Sequence, residues 1–248
     1  MRGSAGGERG VIHATGGSPA TSRILGFRRR RMTARLRGRI AAAAVLVSTA
    51  AALEAGGWVV VTIQDVPDHA VTGRSLTLTY AVRQHGIALV NGLSGGLEAR
   101  SGAVVVRAPV VPTREPGHYS ATLTLPHAGQ WTLEIISGFG GQLDRVRISI
   151  PVIDAGMPVP GLAEIGRGRR LFVAKGCMTC HIHRDLAGPS AAVGPDLSAR
   201  RYLRDDVTQF LARPPQPRLA ASDRPRMPDL KLQAAEVVSL AAFIAAEP

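Results

Sequence analysis

The stretch Tyr119-Ser120-Ala121-Thr122-Leu123-Thr124-Leu125 alternates apolar and hydroxyl-bearing residues with a period of two. Successive side chains of a β-strand point to opposite faces, so the apolar side chains share one face and the hydroxyl groups share the other. This pattern is typical of an antiparallel strand that buries one face in a hydrophobic core. It predicts that this part of the chain forms a β-sheet.

Five further segments have strand patterns and are separated by turn signals such as Pro116-Gly117 and Ala128-Gly129. They are Val59–Ile63, Ser75–Val82, Val104–Ala108, Trp131–Ile136 and Val146–Ile150. Short strands at such close spacing are typical of immunoglobulin-like sandwiches. The sequence therefore predicts an all-β sandwich over residues 56–153.

The stretch at residues 116–131 resembles the end of the YtkA-like or FixH-like family of small extracytoplasmic sandwiches. Some members of that family are associated with copper handling or oxidase assembly. The resemblance therefore makes His69, His85, His118 and His127 candidate metal ligands. The predicted sandwich contains no Cys or Met, which soft copper sites usually include, so ordinary surface or core histidines are favoured.

The N-terminal part of the chain is strongly basic. Residues 1–40 hold ten Arg and one Glu, or +9 of the net charge of +12, which leaves only +3 for residues 41–248. A basic leader explains this charge, and the remainder is too weakly basic to predict nucleic-acid binding.

The basic run ends at Arg39 and is followed by the apolar run Ile40–Leu53. A charged region before a short apolar run is typical of a secretory signal, so residues 1–55 are expected to be a basic leader and signal peptide. Because a membrane span usually needs about 20 residues, cleavage is favoured, and a retained anchor through residues 40–53 is the alternative. Translation starts at either Met1 or Met32. Export places the protein in the periplasm, or on the outer face of the cytoplasmic membrane, of a bacterium.

The only two cysteines of the chain lie in Cys177-Met178-Thr179-Cys180-His181. This is the C-x-x-C-H pattern of covalent haem attachment. Two thiols at this spacing reach the two vinyl groups of one porphyrin edge, and the adjacent imidazole is brought beneath the iron. The motif predicts one covalent haem c, with Cys177 and Cys180 as attachment residues and His181 as an axial iron ligand.

A redox-active dithiol, a structural zinc site and a chance occurrence are the alternatives for this motif. A dithiol motif is expected near a βαβ unit, whereas residues 161–175 have the pattern of a helix with no strand before it. Zinc needs four ligands, and Cys177, Cys180, His181 and His183 are more crowded than zinc ligands usually are. Haem attachment is therefore favoured over all three.

The helix predicted before the motif carries Gly168 and Phe172, and a second helix is predicted at Gln233–Ala246. This arrangement is similar to the crossing terminal helices of class I c-type cytochromes. The resemblance covers residues 162–248 and implies that a small residue and an aromatic residue let the two helices cross closely.

The segment Gly194-Pro195-Asp196-Leu197 looks like the haem-lining loop of the same family. The resemblance implies that Pro195 packs beside the haem and that its carbonyl accepts a hydrogen bond from His181, which orients the imidazole. Gly188-Pro189 is an alternative for this role.

The resemblance also implies a distal methionine in the loop before the last helix, and Met227 occupies that place. Met178 lies inside the attachment motif, Met157 lies in a Pro- and Gly-rich segment, and His183 is held near His181. Met227 is therefore the predicted second axial ligand. A lone methionine in a loop is otherwise a gap-filling apolar side chain.

The expected architecture is multidomain, with an N-terminal all-β sandwich and a C-terminal all-α cytochrome c fold. Its parts are the leader at residues 1–55, the sandwich at 56–153, a linker at 154–161 and the cytochrome domain at 162–248.

Ligation by His181 and Met227 fills both axial positions, which suits electron transfer and leaves no catalytic residue to assign. The expected function is that of an extracytoplasmic mono-haem c-type cytochrome whose partners are redox proteins of a respiratory chain. The sandwich would serve docking or assembly. The alternatives are a haem enzyme or sensor with a displaceable Met227, and a copper-handling or oxidase-assembly factor.

Overall fold

A computed structural model describes residues 57–199, 201–214 and 227–246. The predicted leader at residues 1–55, including both candidate start positions, lies outside these ranges. Within them, no helix has the length and apolar character that crossing a bilayer requires.

Ten strands of the described chain form two five-stranded sheets. The first sheet has the order β1-β3-β8-β7, with β4 paired to β3; its strands are β1 (Val59–Ile63), β3 (Ser75–Gln84), β4 (Ala88–Leu89), β7 (Val111–Pro112) and β8 (His118–Thr124). The second has the order β2-β10-β9-β5-β6; its strands are β2 (Ala70–Val71), β5 (Gly96–Ser101), β6 (Val104–Pro109), β9 (Gly129–Ile136) and β10 (Arg145–Ile153). Among these strands, only β10 and β2 pair in parallel, over a short stretch, and the other pairs are antiparallel.

The core lies between the two sheets and follows the alternation seen in the sequence. In β8, Tyr119, Ala121 and Leu123 are buried, whereas the hydroxyl side chains between them are not. Trp131 of β9 is fully buried, and its indole nitrogen donates a hydrogen bond of 3.0 Å to the carbonyl of His127. Each of the six predicted strands coincides with an observed strand, which confirms the immunoglobulin-like description of this part of the chain.

Four short strands were not predicted, namely β2, β4, β5 and β7. In β5 the core-facing residues are Leu97 and Ala99, while Glu98 lies between them. A single large apolar residue gives too weak an alternation to indicate a strand. The other three strands are two residues long and are defined by their partners.

In the described part of the chain, four helices follow the sandwich: α1 (Glu164–Ala174), α2 (Cys177–Cys180), α3 (Arg204–Ala212) and α4 (Ala234–Ile244). Helices α1 and α4 cross at Gly168, where a Cβ atom would lie 1.9 Å from the carbonyl oxygen of Ser239. Phe172 meets Phe243 edge-on, with 5.6 Å between the ring centroids. The close helix crossing expected from the sequence is therefore present.

The prediction of a separate all-α cytochrome c domain is wrong. Among the described residues, 33% lie in strands and 20% in helices, and all of them belong to a single unit. Val173 and Ala174, at the end of α1, pack into the core of the sandwich, and Val66 contacts both that core and the helical cluster. The helices therefore pack on a mostly-β structure, and the end of α1 contributes to its core.

The α1–α4 crossing gives a prediction about Gly168. Gly168→Ala should destabilise the protein by about 1–3 kcal/mol or more, because the added methyl group meets backbone that cannot move away easily. Gly166→Ala is the matched control, since a Cβ atom there comes no closer than 3.3 Å to the flexible side chain of Leu162. The control should gain up to about 1 kcal/mol from helix propensity. Urea unfolding of both variants measures the difference, and equal effects would contradict the crossing.

Candidate functional site

The attachment motif forms one tight helical turn. The chain leaves α1 at Lys175 and turns at Gly176, which has a φ of +78° that favours glycine. Cys177 and Cys180 then lie at the two ends of α2, and His181 returns to extended backbone. Both cysteines are free thiols of intermediate exposure. The turn thus presents two thiols and an imidazole within five residues.

The ring of His181 is fixed by one hydrogen bond. Its Nδ1 lies 2.9 Å from the carbonyl oxygen of Pro195, and because a carbonyl can only accept, Nδ1 is the donor. The lone pair of Nε2 is therefore free to bind a metal ion. The hydrogen bond expected from the sequence is present, whereas packing of Pro195 against a haem stays a prediction.

The loop that carries Pro195 is bonded to the attachment motif. The amide of Gly194 donates to the carbonyl of Cys180, and the amide of Leu197 donates to the carbonyl of Ile182, both at 2.9 Å. A Cβ atom at Gly194 would lie 2.5 Å from Cε1 of His181, so glycine leaves the room that the imidazole occupies. These contacts position the ring before any ligand is bound.

Met227 lies beside the same helical cluster as the motif. Its side chain is partly buried and packs against that cluster, as do those of Cys177 and Met178. A cleft next to it is lined by the end of α3 and by residues 227–232. The structure therefore brings Met227 to the cluster that the motif also borders, and its role as a ligand stays a prediction.

His183 is a core residue. Its ring stacks on Phe243 with 4.2 Å between centroids, and Phe172 lies 5.6 Å away. Nδ1 accepts a hydrogen bond of 3.3 Å from the amide of Asp185. Burial lowers the pKa of His183, the nearby charge of Asp185 opposing this in part, so the ring is held in its neutral form. This packing removes His183 as a competitor for the iron.

The pKa values of the two thiols are raised in the folded chain, so both groups stay protonated at neutral pH. Burial, with a smaller effect of Cys180, raises the pKa of Cys177 to about 12. Burial also raises the pKa of Cys180 to about 11. Catalytic dithiols have thiol pKa values below the usual range, so these values disfavour a redox-active dithiol.

A buried ion pair beside the motif was not foreseen from the sequence. Nζ of Lys175 lies 2.8 Å from Oε1 of Glu236, and both side chains are less than one tenth exposed. The ammonium group also donates to the carbonyl of Gln64 at the end of β1. A lysine before the motif and a glutamate at the start of α4 are ordinary residues in the sequence, and only the fold pairs them.

The four sandwich histidines each have different surroundings. Nδ1 of His118 donates to the carbonyl of Pro116 at 2.8 Å, and the ring of His127 packs 4.8 Å from that of Trp131. The ring of His85 lies 5.5 Å from that of Trp58, and His69 is only partly buried. Throughout the described ranges, no group of three or more His, Cys, Asp and Glu is placed to hold a metal ion.

Neither the models of protein families nor the curated proteins contain a match to this chain. Among solved structures, the chain is similar to the ZirS C-terminal domain, with a TM-score of 0.31 and 13% identity over 57% of this chain and 86% of that chain. It is also similar to the Lin-41 filamin domain, with a TM-score of 0.31 and 16% identity over 39% of this chain and 93% of that chain. The chain is similar as well to a superoxide reductase (neelaredoxin) from Ignicoccus hospitalis. The TM-score is 0.26, with 17% identity over 38% of this chain and 80% of that chain.

These findings correct the family resemblances drawn from the sequence. No cytochrome c was found, and no family model supports a class I cytochrome or a YtkA-like or FixH-like domain. Among the residues that the structure describes, no group of side chains forms a recognisable metal site, so the classification of the chain as a cytochrome c is not supported. The resemblance was local, since it rested on helix crossing and loop residues that occupy a small part of a mostly-β unit.

The protonated thiols give a prediction for the haem-free chain. At pH 8 the thiolate fraction of a group with a pKa of about 11 is roughly 100-fold below that of an ordinary thiol, and the greater nucleophilicity of a more basic thiolate recovers only part of this. Alkylation of the folded chain should therefore be at least roughly tenfold slower than that of the same chain in urea. Its rate should still rise with pH at pH 10. A plateau near pH 9 in the folded chain would contradict the raised pKa values.

Proposed function

We propose that this chain is an extracytoplasmic electron carrier that holds one haem covalently through Cys177 and Cys180. The observation that carries the proposal is the geometry of α2, which presents two free thiols on one helical turn directly before His181. The Nδ1 hydrogen bond to Pro195 leaves Nε2 of that histidine ready to bind iron. The proposal concerns the attachment chemistry of this turn and does not depend on any cytochrome family.

The residues present fit covalent haem. Each thiol would add across one vinyl group, so that a sulfur–carbon bond and a carbon–hydrogen bond form while the S–H bond breaks, and no oxidant is needed. Cys177 and Cys180 are both reduced in the structure, as this addition requires. A haem iron takes at most two axial ligands from the protein, so its site is not a cluster of three or more donor side chains.

Bound haem would supply a one-electron couple between ferric and ferrous iron. The chain would hold it by the two thioether bonds and by Nε2 of His181, and Met227 is the proposed second axial ligand. A soft thioether ligand favours the reduced state and raises the reduction potential. If His181 and Met227 both bound the iron, the residues of the chain would hold and orient the haem, and none of them is assigned a catalytic step.

The leader supports export of the protein. A basic segment followed by the apolar run Ile40–Leu53 is typical of a secretory signal or an N-terminal anchor. We accordingly place the carrier in the bacterial periplasm or on the outer face of the cytoplasmic membrane, with redox proteins of a respiratory chain as partners and docking or assembly as a role of the sandwich.

The proposal predicts one haem per chain when the full chain is exported together with a haem-attachment system. Pyridine hemochrome analysis should show a thioether-linked haem that acid acetone does not extract. Cys177→Ala combined with Cys180→Ala should abolish covalent attachment, because no thiol remains to add to a vinyl group. His69→Ala, a substitution in the sandwich, is the control and should attach haem normally. A colourless parent chain from a working attachment system would refute the proposal.

The second axial ligand is tested by Met227→Ala. Loss of the thioether should lower the reduction potential by on the order of 100 mV, since axial ligands set haem potentials over about 0.8 V. The reduced variant should also bind carbon monoxide, whereas the reduced parent should not. Met157→Ala, in an exposed segment, is the matched control. Carbon monoxide binding by the parent would instead favour a haem enzyme or sensor.

A further inference from the structure

Strand β1 is buried on both faces, although it lies at the edge of its sheet. Val59, Val61 and Ile63 pack in the core of the sandwich. The opposite face carries Val60 and Thr62, whose exposed fractions are only 1% and 3%. A second layer must therefore cover the outer side of this edge.

The covered surface consists of four residues on β1 and β3. In the strand register Val60 faces Arg83 and Thr62 faces Ala81. Nη1 of Arg83 donates a hydrogen bond of 3.5 Å to the hydroxyl of Thr62, and Ala81 is 1% exposed. We call these four residues the β1–β3 platform.

The residues directly before the attachment motif cover this platform. A Cβ atom at Gly176 would lie 2.6 Å from Cγ1 of Val60 and 2.7 Å from the carbonyl oxygen of Val61. The hydroxyl of Thr62 donates to the carbonyl of Lys175 at 3.4 Å. Gly176 also has a positive φ, so a side chain at this position would be strained by its backbone conformation as well as by these contacts. The backbone directly before Cys177, the first residue of the motif, thus packs on the sandwich.

Lys175 extends the same contact to the last helix. Its ammonium group donates to the carbonyl of Gln64 and pairs with Glu236 at 2.8 Å. The carboxylate of Glu236 also caps α4, together with Gln233. Since α4 begins seven residues after Met227, one buried cation joins the end of β1, the attachment motif and the segment that follows the proposed distal ligand.

We propose that the β1–β3 platform is the positioning scaffold of the haem site and holds the attachment motif through the backbone of Lys175 and Gly176. The inference rests on the proposed function, and it assigns the sandwich a role within the site in addition to docking. Gly176 is a positioning residue, because it acts through the neighbouring motif.

The seat of the motif is tested in the full chain without haem, at pH 8 and with reduced thiols. Alkylation of Cys177 by iodoacetamide is compared in Gly176→Ala and Gly73→Ala, since Gly73 has a similar φ of +71° and open space around it. Gly176→Ala should raise the rate at least about tenfold, and the control less than about twofold, through local opening alone. Fluorescence of the buried Trp131 should match that of the parent in both variants. Equal alkylation rates in the two variants would contradict the proposed contact between Gly176 and the platform.

A second variant tests the same contact without changing a glycine. Thr62→Val removes the hydroxyl group that donates to the carbonyl of Lys175 and nearly keeps the size of the side chain. The alkylation rate of Cys177 should rise at least about threefold through local opening. Thr77→Val, whose hydroxyl group is bonded to that of Thr122 at an exposed place of the same sheet, is the control and should leave the rate unchanged. An unchanged rate in Thr62→Val would overturn the contact, even if the glycine variant did not fold.

Haem loading separates the two proposals. When the variants are exported with an attachment system, Gly176→Ala should retain less covalent haem than Gly73→Ala. A parent chain that takes up no haem would refute the proposed function, while the alkylation results would still decide whether the platform positions the attachment motif. A parent that is fully loaded, with equal loading and equal alkylation in the two glycine variants, would refute the scaffold alone.

Discussion

Double-sided burial of β1 is the constraint on which the arrangement of this protein depends. Val60 and Thr62, on the outer face of this strand, are covered by the backbone of Lys175 and Gly176. Fully burying an aliphatic side chain such as that of Val60 stabilises the fold by about 1.5–3 kcal/mol, so this contact is substantial. The outer face of β1 therefore fixes the backbone that leads into the motif.

The buried pair of Lys175 and Glu236 determines how the helices sit on this edge. Removing two charges from water is costly, so a buried pair adds little net stability by itself. Loss of one partner, however, leaves an isolated buried charge and costs about 3–5 kcal/mol. The pair therefore acts through specificity, because any packing of α1 and α4 that separates Lys175 from Glu236 is strongly disfavoured.

The features that could be predicted from the sequence are those whose signal is local. Strand β8 alternates over seven residues, and its pattern needs no knowledge of a partner. The attachment motif is equally local, since two thiols and an imidazole act within five residues. Strands β2, β4 and β7 are too short to show a period, and the seat of Gly176 depends on Val60, which is more than 100 residues away in the chain. No local pattern contains that contact.

The separate helical domain was wrongly predicted because a helical period reports that a face is buried, and not what buries it. In α1, Leu171 and Phe172 pack in the helical cluster, whereas Val173 and Ala174 pack against the sandwich core. The sequence pattern is the same whichever partner covers each residue. Family resemblance failed for the same reason, because it carried over the packing partners of another fold. The proposed attachment chemistry of Cys177, Cys180 and His181 was predicted from their own turn and not from the packing of the helices, so the error in the predicted fold does not carry over to it.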